Sequence, residues 1–459
     1  MTTVVTAPIL PLPPSAQQPV HNPAPRDLVR MAAELKLYHA EFAPLFTRRE
    51  QRRWSEFYLQ GQLSDLERKT VEPMVLQLQE AEVAKVRAVQ QFLGEGRWND
   101  DLILQRREEL VAEDLGETDA VLILDGSGFP KKGECSAGVA RQYCGAVGKV
   151  SNCQHGVFLV YLSSRGYTFV DRRLYVPRQW FGEEYKEKRE RCRMPEKLKF
   201  KTELVLGVEM LRGVQEREVL PFQWVVADSR YGMNPKFIDQ VAALNKWYLL
   251  EVPNTTSIYF EPVEILEAGK QAGSGRGRGR NGRRVGGEQS PQAVKQMGAS
   301  LPAAAWVTMK VKDGSQGVNE AEFAFLRGWT KRHTRRPGSP VWIIFRRTPG
   351  NREDLKYYQS NAPEDASEEV LARVVGLRWP VETALEEAKS ELGMDHYETR
   401  SWSGWHHQMT LTFLAHHFLV RMRLRMKKNG RDDASASENA GIRSLEAEEH
   451  HGAGSDQNH

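Results

Sequence analysis

The chain has 459 residues, a formal net charge of +4 and 40% hydrophobic residues. That is enough for two or three domains with a sizeable core. No stretch reaches the roughly eighteen continuous apolar residues of a transmembrane helix, so no membrane-spanning helix is expected. No secretory signal pattern opens the chain, so a cytoplasmic location is expected. The four cysteines, Cys135, Cys144, Cys153 and Cys192, lack the C-x2-C pairing of a zinc site and read as reduced thiols, some of them in the core.

Residues 1–25 are rich in Pro, Ala and Gln without apolar periodicity and read as disordered. Residues 26–116 read as a small bundle of four or five helices and as a candidate DNA-binding domain. Leu35, Leu37, Phe42 and Phe46 recur at near-helical spacing, and Val86, Val89, Phe92 and Leu93 suggest a later helix broken at Gly94-Glu95-Gly96. Ser64 and Glu67 have the spacing of a capping box that would open a further helix. Arg48, Arg49, Arg52, Arg53, Arg68 and Lys69 make this region basic, which fits DNA contact and fits a solvated face equally.

A mixed α/β segment, 117–252, follows. Val121-Leu122-Ile123-Leu124 reads as a strand buried on both faces that ends on Asp125, before a glycine-rich turn through Gly126, Gly128 and Gly133. Residues 156–162 and 168–176 form a hairpin, and 197–216 have helical periodicity. Trp224-Val225-Val226-Ala227 is a second strand running into a carboxylate, Asp228. A helix over 235–244, with Pro at a tolerated first-turn position, and a strand over 247–252 complete the set. The order strand, hairpin, helix, strand, helix, strand is that of a ribonuclease H-like core. The fold class expected is therefore α/β.

Residues 253–362 read as a β-rich insertion interrupting that core, with strands near 305–311, 321–326 and 341–347. Within it, residues 269–300 hold seven Lys or Arg against one Glu, a composition suited to tracking phosphates or to an inert linker. Lys331, Arg332, Arg335, Arg336, Arg346 and Arg347 add positive charge. Trp306, Trp329 and Trp342 could stack on an unpaired base or sit in the core. Residues 363–426 are helical, with Trp379-Pro380 kinking one helix or starting another, and 427–459 read as a disordered tail.

Glu382 lies near the start of the helix after Pro380. Asp125, Asp228 and Glu382 on separate elements are the hard oxygen ligands that two divalent cations require for phosphodiester chemistry. Each Asp alone could equally cap the next turn or helix, and periodicity does not choose Glu382 over Glu386, Glu387 or Glu391. Lys389, seven residues after Glu382, shares its helical face about 10 Å along the axis.

The pattern Arg378-x3-Glu382-x6-Lys389 resembles the Tyr-x2-Arg-x3-Glu-x6-Lys signature of one branch of DDE-type insertion-sequence transposases. The same group is resembled by Asp125-Gly126-Ser127-Gly128-Phe129-Pro130-Lys131-Lys132-Gly133, residues 138–143, Asn152-Cys153-Gln154, Asp228-Ser229-Arg230-Tyr231-Gly232, Ser360-Asn361-Ala362 and Arg400-Ser401-Trp402. The likeness spans about residues 27–425. It implies a ribonuclease H-like catalytic core with Asp125, Asp228 and Glu382 as ligands of two Mg²⁺ ions, Mn²⁺ being able to substitute. It also implies Arg378, Lys389, Lys131, Lys132, Arg230 and Tyr231 on DNA, and cut-and-paste transfer of double-stranded transposon ends by a homodimer in a synaptic complex. The enzyme would be bacterial and nucleoid-associated. Val375 stands where the signature has Tyr, and Gln408 where this group is expected to have His. The alternatives are a silent transposase-derived DNA-binding regulator, which the complete triad argues against, and a ribonuclease H-like nuclease without strand transfer.

Overall fold

The computed structural model describes residues 25–78, 83–261, 265–266, 284–285, 290–314, 317–331 and 337–449. The proposed disordered segment before residue 25, most of the Arg/Gly-rich segment, Arg332, Arg335, Arg336 and the final residues 450–459 lie outside them.

Five helices come first: α1 Pro25–Ala40, α2 Arg49–Gln62, α3 Val71–Leu78, α4 Val83–Gly94 and α5 Asp100–Leu115. Phe42, Phe46, Phe57, Tyr58 and Phe92 are buried between them, whereas Leu37, of the same near-helical apolar series, is 66% exposed. Leu37 precedes Tyr38, which takes the inward position through a hydrogen bond to His417 Nδ1 at 3.0 Å. Ser64 opens no helix. Its hydroxyl donates to Gly61 O at 2.7 Å and so satisfies a carbonyl at the end of α2. Lys69 ties this turn to a later helix, donating to Gln62 O at 2.9 Å, Ser64 O and Glu391 O.

The sheet strands follow: β1 Val121–Pro130, β2 Ala140–Cys144, β3 Lys149–Ser163 and β4 Gly166–Tyr175. A short helix, α6 Lys186–Arg191, and α7 Glu203–Arg217 lead to β5 Trp224–Ala227, α8 Ser229–Gly232, α9 Pro235–Ala242 and β6 Trp247–Val252. β3 and β4 form the expected hairpin. β1 pairs antiparallel with β3 and parallel with β5, and β5 runs parallel to β6. Alternation along β1 sends Val121 and Ile123 into one core and Leu122 and Leu124 into another, so both faces are covered.

The next elements are β7 Ser257–Tyr259, β8 Ile265–Leu266, β9 Arg284–Val285, β10 Gln292–Ala293, α10 Val294–Ser300, β11 Val307–Gly314, β12 Gly317–Lys331, β13 Pro337–Arg347 and β14 Lys356–Ser360. β14 pairs with β6, so the β-rich segment extends the sheet, in the order β10-β7-β12-β13-β14-β6-β5-β1-β3-β2. All three tryptophans of this segment are partly buried. Arg347 lies over Trp306 at 3.8 Å, and Trp342 Nε1 donates to Pro363 O at 2.9 Å.

Three helices close the chain: α11 Glu368–Gly376, α12 Trp379–Ser390 and α13 Trp402–Glu449. Trp379-Pro380 therefore starts a new helix, with Pro in its first turn where no backbone donor is lost. α13 continues helical past residue 427, where a disordered tail is expected; Ala, Glu, Arg and Lys in that stretch are compatible with helix. Leu411, Leu414 and Phe418 of α13 complete the core of α1–α5, and Phe413 packs on the sheet. Tyr58 donates to Gln408 Oε1 at 2.6 Å and Gln62 to Thr412 Oγ1 at 2.7 Å across that contact. The helical region and the sheet are thus joined through one shared helix.

Burial lowers His39 to about 4, and its Nε2 meets Ser55 Oγ at 2.7 Å. Unfolded, His39 titrates near 6.5. Its contribution is therefore complete above about pH 6.5 and is lost as pH falls toward 4. Urea denaturation at pH 7 and pH 5 should show His39→Gln losing about 2 kcal/mol less stability than wild type over that interval. Equal losses in both proteins would refute a neutral buried His39.

Candidate active site

Asp125 does not end its strand. β1 runs on to Pro130, paired with β3 from Asp125↔Phe158 to Pro130↔Cys153. Gly126 and Gly128 are explained by close approach rather than a turn. A Cβ on Gly126 would lie 2.5 Å from His155 Nε2, and one on Gly128 2.6 Å from Cys144 Sγ. What does stop near Asp125 is the neighbouring strand. Leu124 is opposite Ala227, the last residue of β5, and Ala227 is opposite Leu250 of β6. The next residues on these three adjacent parallel strands are Asp125, Asp228 and Glu251, so three carboxylate side chains line one end of the sheet. Asp228 also caps α8, accepting from the backbone of Arg230 at 3.0 Å and Tyr231 at 3.4 Å.

Glu382, in the first turn of α12, faces this row. Arg378, just before that helix, joins them: its guanidinium lies 2.5 Å from Glu382 Oε1, 3.5 Å from Asp125 Oδ2 and 4.0 Å from Glu251 Oε2. Burial pushes Asp125 up to about 6; Arg378 and the Gly126 N–H oppose that rise, and the Asp228 and Glu382 charges add to it. The donor set is all oxygen and crowded with negative charge, so it fits hard divalent cations. The cation now among these carboxylates is a guanidinium, and among the described residues no three His, Cys, Asp or Glu groups already close on one point.

Of the rival glutamates, Glu387 is engaged with His416 at 3.5 Å and Arg423 at 3.4 Å, Glu391 accepts from Ser390, and Glu386 is exposed. Among the described residues, Glu382 alone of the four pairs with Arg378, the cation that also meets Asp125. Lys389 Nζ donates to Ser127 Oγ at 2.7 Å, two residues beyond Asp125 on β1, and burial lowers its pKa. Lys131 sits 3.4 Å over the Tyr397 ring, lowered by burial to about 8, while Lys132 is exposed. Arg230 is bound to Glu203, which also meets His155 at 3.4 Å.

Tyr231 requires a correction. It is 2% exposed and packs on Phe237 at 4.9 Å, so α8 presents its ring to the core rather than to the surface where DNA contact is expected. Val375 is buried and Gln408 bonds Tyr58 and Gly393, so both departures from the signature are accommodated by packing. Residues of the other resembled segments hold the scaffold: Asn152 donates to Lys131 O, Gln154 to Ala137 O and Ser401 to Gly94 O. A lone Glu inside a strand carries no sequence signal; only the register of β6 against β5 places Glu251 beside Asp228.

Residues 41–318 match the family model described as DDE superfamily endonuclease. The chain belongs to that family. In this DDE-family chain the matched span contains Asp125, Asp228 and Glu251, whereas Glu382 lies beyond it. Over 219 residues the chain is 28% identical to the probable transposase for insertion sequence element IS701 of Microchaete diplosiphon, an overlap of 45% of this chain and 50% of that protein. The chain thus spans about half the length of this curated relative.

Proposed function

We propose that the chain is an insertion-sequence transposase with a ribonuclease H-like core, which hydrolyses the phosphodiester at its element's ends and transfers the freed 3′ oxygen to target DNA. The antiparallel run β4-β3-β1 continued by the parallel run β1-β5-β6 supports that core. The observation that carries the reading is the Arg378 hub, which gathers Asp125, Glu251 and Glu382 from three elements at the sheet end where Asp228 also emerges.

Asp125, Asp228 and Glu382 would hold divalent cations, Mg²⁺ or Mn²⁺, two per site. Bound there, such ions supply activation of the attacking oxygen and charge stabilisation of the leaving 3′ oxygen. The chain's own residues do the rest. β1 fixes Asp125 on a rigid, paired backbone, and the α8 N-terminus holds Asp228 in one orientation. Arg378 and Lys389 provide cationic hydrogen-bond donors for phosphates of the DNA strand, and exposed Lys132 extends that positive edge. Double-stranded DNA is the partner, and a homodimer would pair two ends. The shared identity with a probable transposase supports this substrate class.

Glu382→Ala should reduce end cleavage at least about 10²-fold, the scale of losing one electrostatic group at a reacting centre, while Glu386→Ala should stay within about twofold. Both are read by gel assay on DNA carrying the sequences that flank the reading frame. Loss with Glu386→Ala and survival with Glu382→Ala would reassign the third ligand. Metal-independent binding without cutting by wild type would favour a DNA-binding regulator, and cutting without joining a nuclease.

A further inference from the structure

Glu251 has no assignment in the reading above, yet it stands level with Asp125 and Asp228 at the end of the sheet. Its backbone is fixed: β6 is bonded to β5 on one side and to β14 on the other, with Glu251 opposite Tyr358. Gly232 packs directly on its carbonyl, where a Cβ would come within 1.9 Å. Its side chain is 27% exposed and pairs with Arg378 at 4.0 Å. Arg378 in turn has three carboxylates around it, two of which are the ones proposed to take divalent cations.

A divalent cation on Asp125 and Glu382 repels a guanidinium held by the same oxygens. The guanidinium must then move, and the remaining acidic group within 4.0 Å is Glu251. We propose that Glu251 is a positioning residue that receives Arg378 when cations occupy the site, keeping the guanidinium at the sheet end to meet a DNA phosphate. This rests on the proposed cation-binding function. Without Glu251, the carboxylates left around Arg378 are Asp125, Glu382 and Asp228, the proposed cation ligands, so the guanidinium competes harder for them.

The test is Mn²⁺ binding to the purified full chain by calorimetry, with no DNA present. Glu251→Gln should weaken Mn²⁺ binding by about fivefold, the size of one partly exposed ion pair, with unchanged stoichiometry. Arg378→Ala should tighten binding, and adding Glu251→Gln to Arg378→Ala should change nothing further. An equal loss in both backgrounds, or a lost binding equivalent, would make Glu251 a direct ligand and overturn the proposal. No effect of Glu251→Gln would also overturn it. Asp125→Asn separates this from the broader reading: if it leaves Mn²⁺ binding intact, the site itself is misassigned, whatever Glu251 does. Circular dichroism of each variant checks that the fold is retained.

Discussion

Asp125→Asn is expected to abolish cleavage and joining, by about 10³-fold or more, while leaving the fold intact. The substitution keeps the shape and the hydrogen bond from the Gly126 N–H, which is 2.7 Å from Oδ1, but removes the charge that would hold a cation. Stability should move the other way. Burial raises Asp125 to about 6, from 3.8, so the folded chain binds that proton more tightly than the unfolded chain. Its ionisation therefore lowers stability as pH rises from about 4 through 6. The Asn variant should lack that decline and should be at least as stable as wild type at pH 7 in metal-free urea melts. A variant that cut DNA at wild-type rate would remove Asp125 from the chemistry. One that unfolded would make its role structural.

Gly232→Ala should be the most damaging small substitution near the site. The added methyl would sit 1.9 Å from Glu251 O and 3.2 Å from Leu250 Cβ, contacts that a neighbouring backbone cannot relieve by rotating a side chain. α8 must then lift off β6, carrying Asp228 with it. The expected cost is about 3 kcal/mol of stability from overpacking, and cleavage should fall about 10²-fold because displacement near 1 Å is enough to disable a positioned group. Gly133→Ala, where nothing lies within 4 Å of the added carbon, is the control and should be neutral in both assays. Equal behaviour of the two variants would mean that the α8–β6 contact does not set the position of Asp228.

Much of the fold could be read from residue pattern. The apolar runs before Asp125 and Asp228 form adjacent parallel strands, the hairpin read over 156–176 is present as β3 and β4, and Trp247–Val252 is a strand as expected. These signals are local: alternation, apolar runs and turn residues decide them without reference to distant chain. Long-range geometry was not legible. Gly126 and Gly128 look like a turn, yet they lie inside a strand because His155 and Cys144 press against them. Ser64 and Glu67 have the spacing of a helix start, but Lys69 and Ser64 consume the carbonyls of a helix end. The β-rich segment reads as a separate insertion, and only strand pairing reveals that β14 adds it to the core sheet.

The site divides in the same way. Asp125 and Asp228 stand out because each follows an apolar run, whereas Glu382 needed a signature match to be separated from three nearby glutamates. In the fold, Glu382 shares the Arg378 cation with Asp125. For Tyr231 the resemblance implies a DNA contact, but the first turn of α8 directs its ring into the core. Arg378 was expected on phosphate and is found on carboxylates, because its chain position just before α12 brings it to the same negative cluster that would bind cations.

The most direct test is a cleavage and joining assay with purified wild-type protein on duplex DNA carrying the sequences that flank its reading frame, with and without Mg²⁺. The account predicts Mg²⁺-dependent strand breaks at the element ends, followed by covalent joining of the 3′ ends to a second duplex. Stable binding to those ends with no breaks in Mg²⁺ or Mn²⁺ would contradict it.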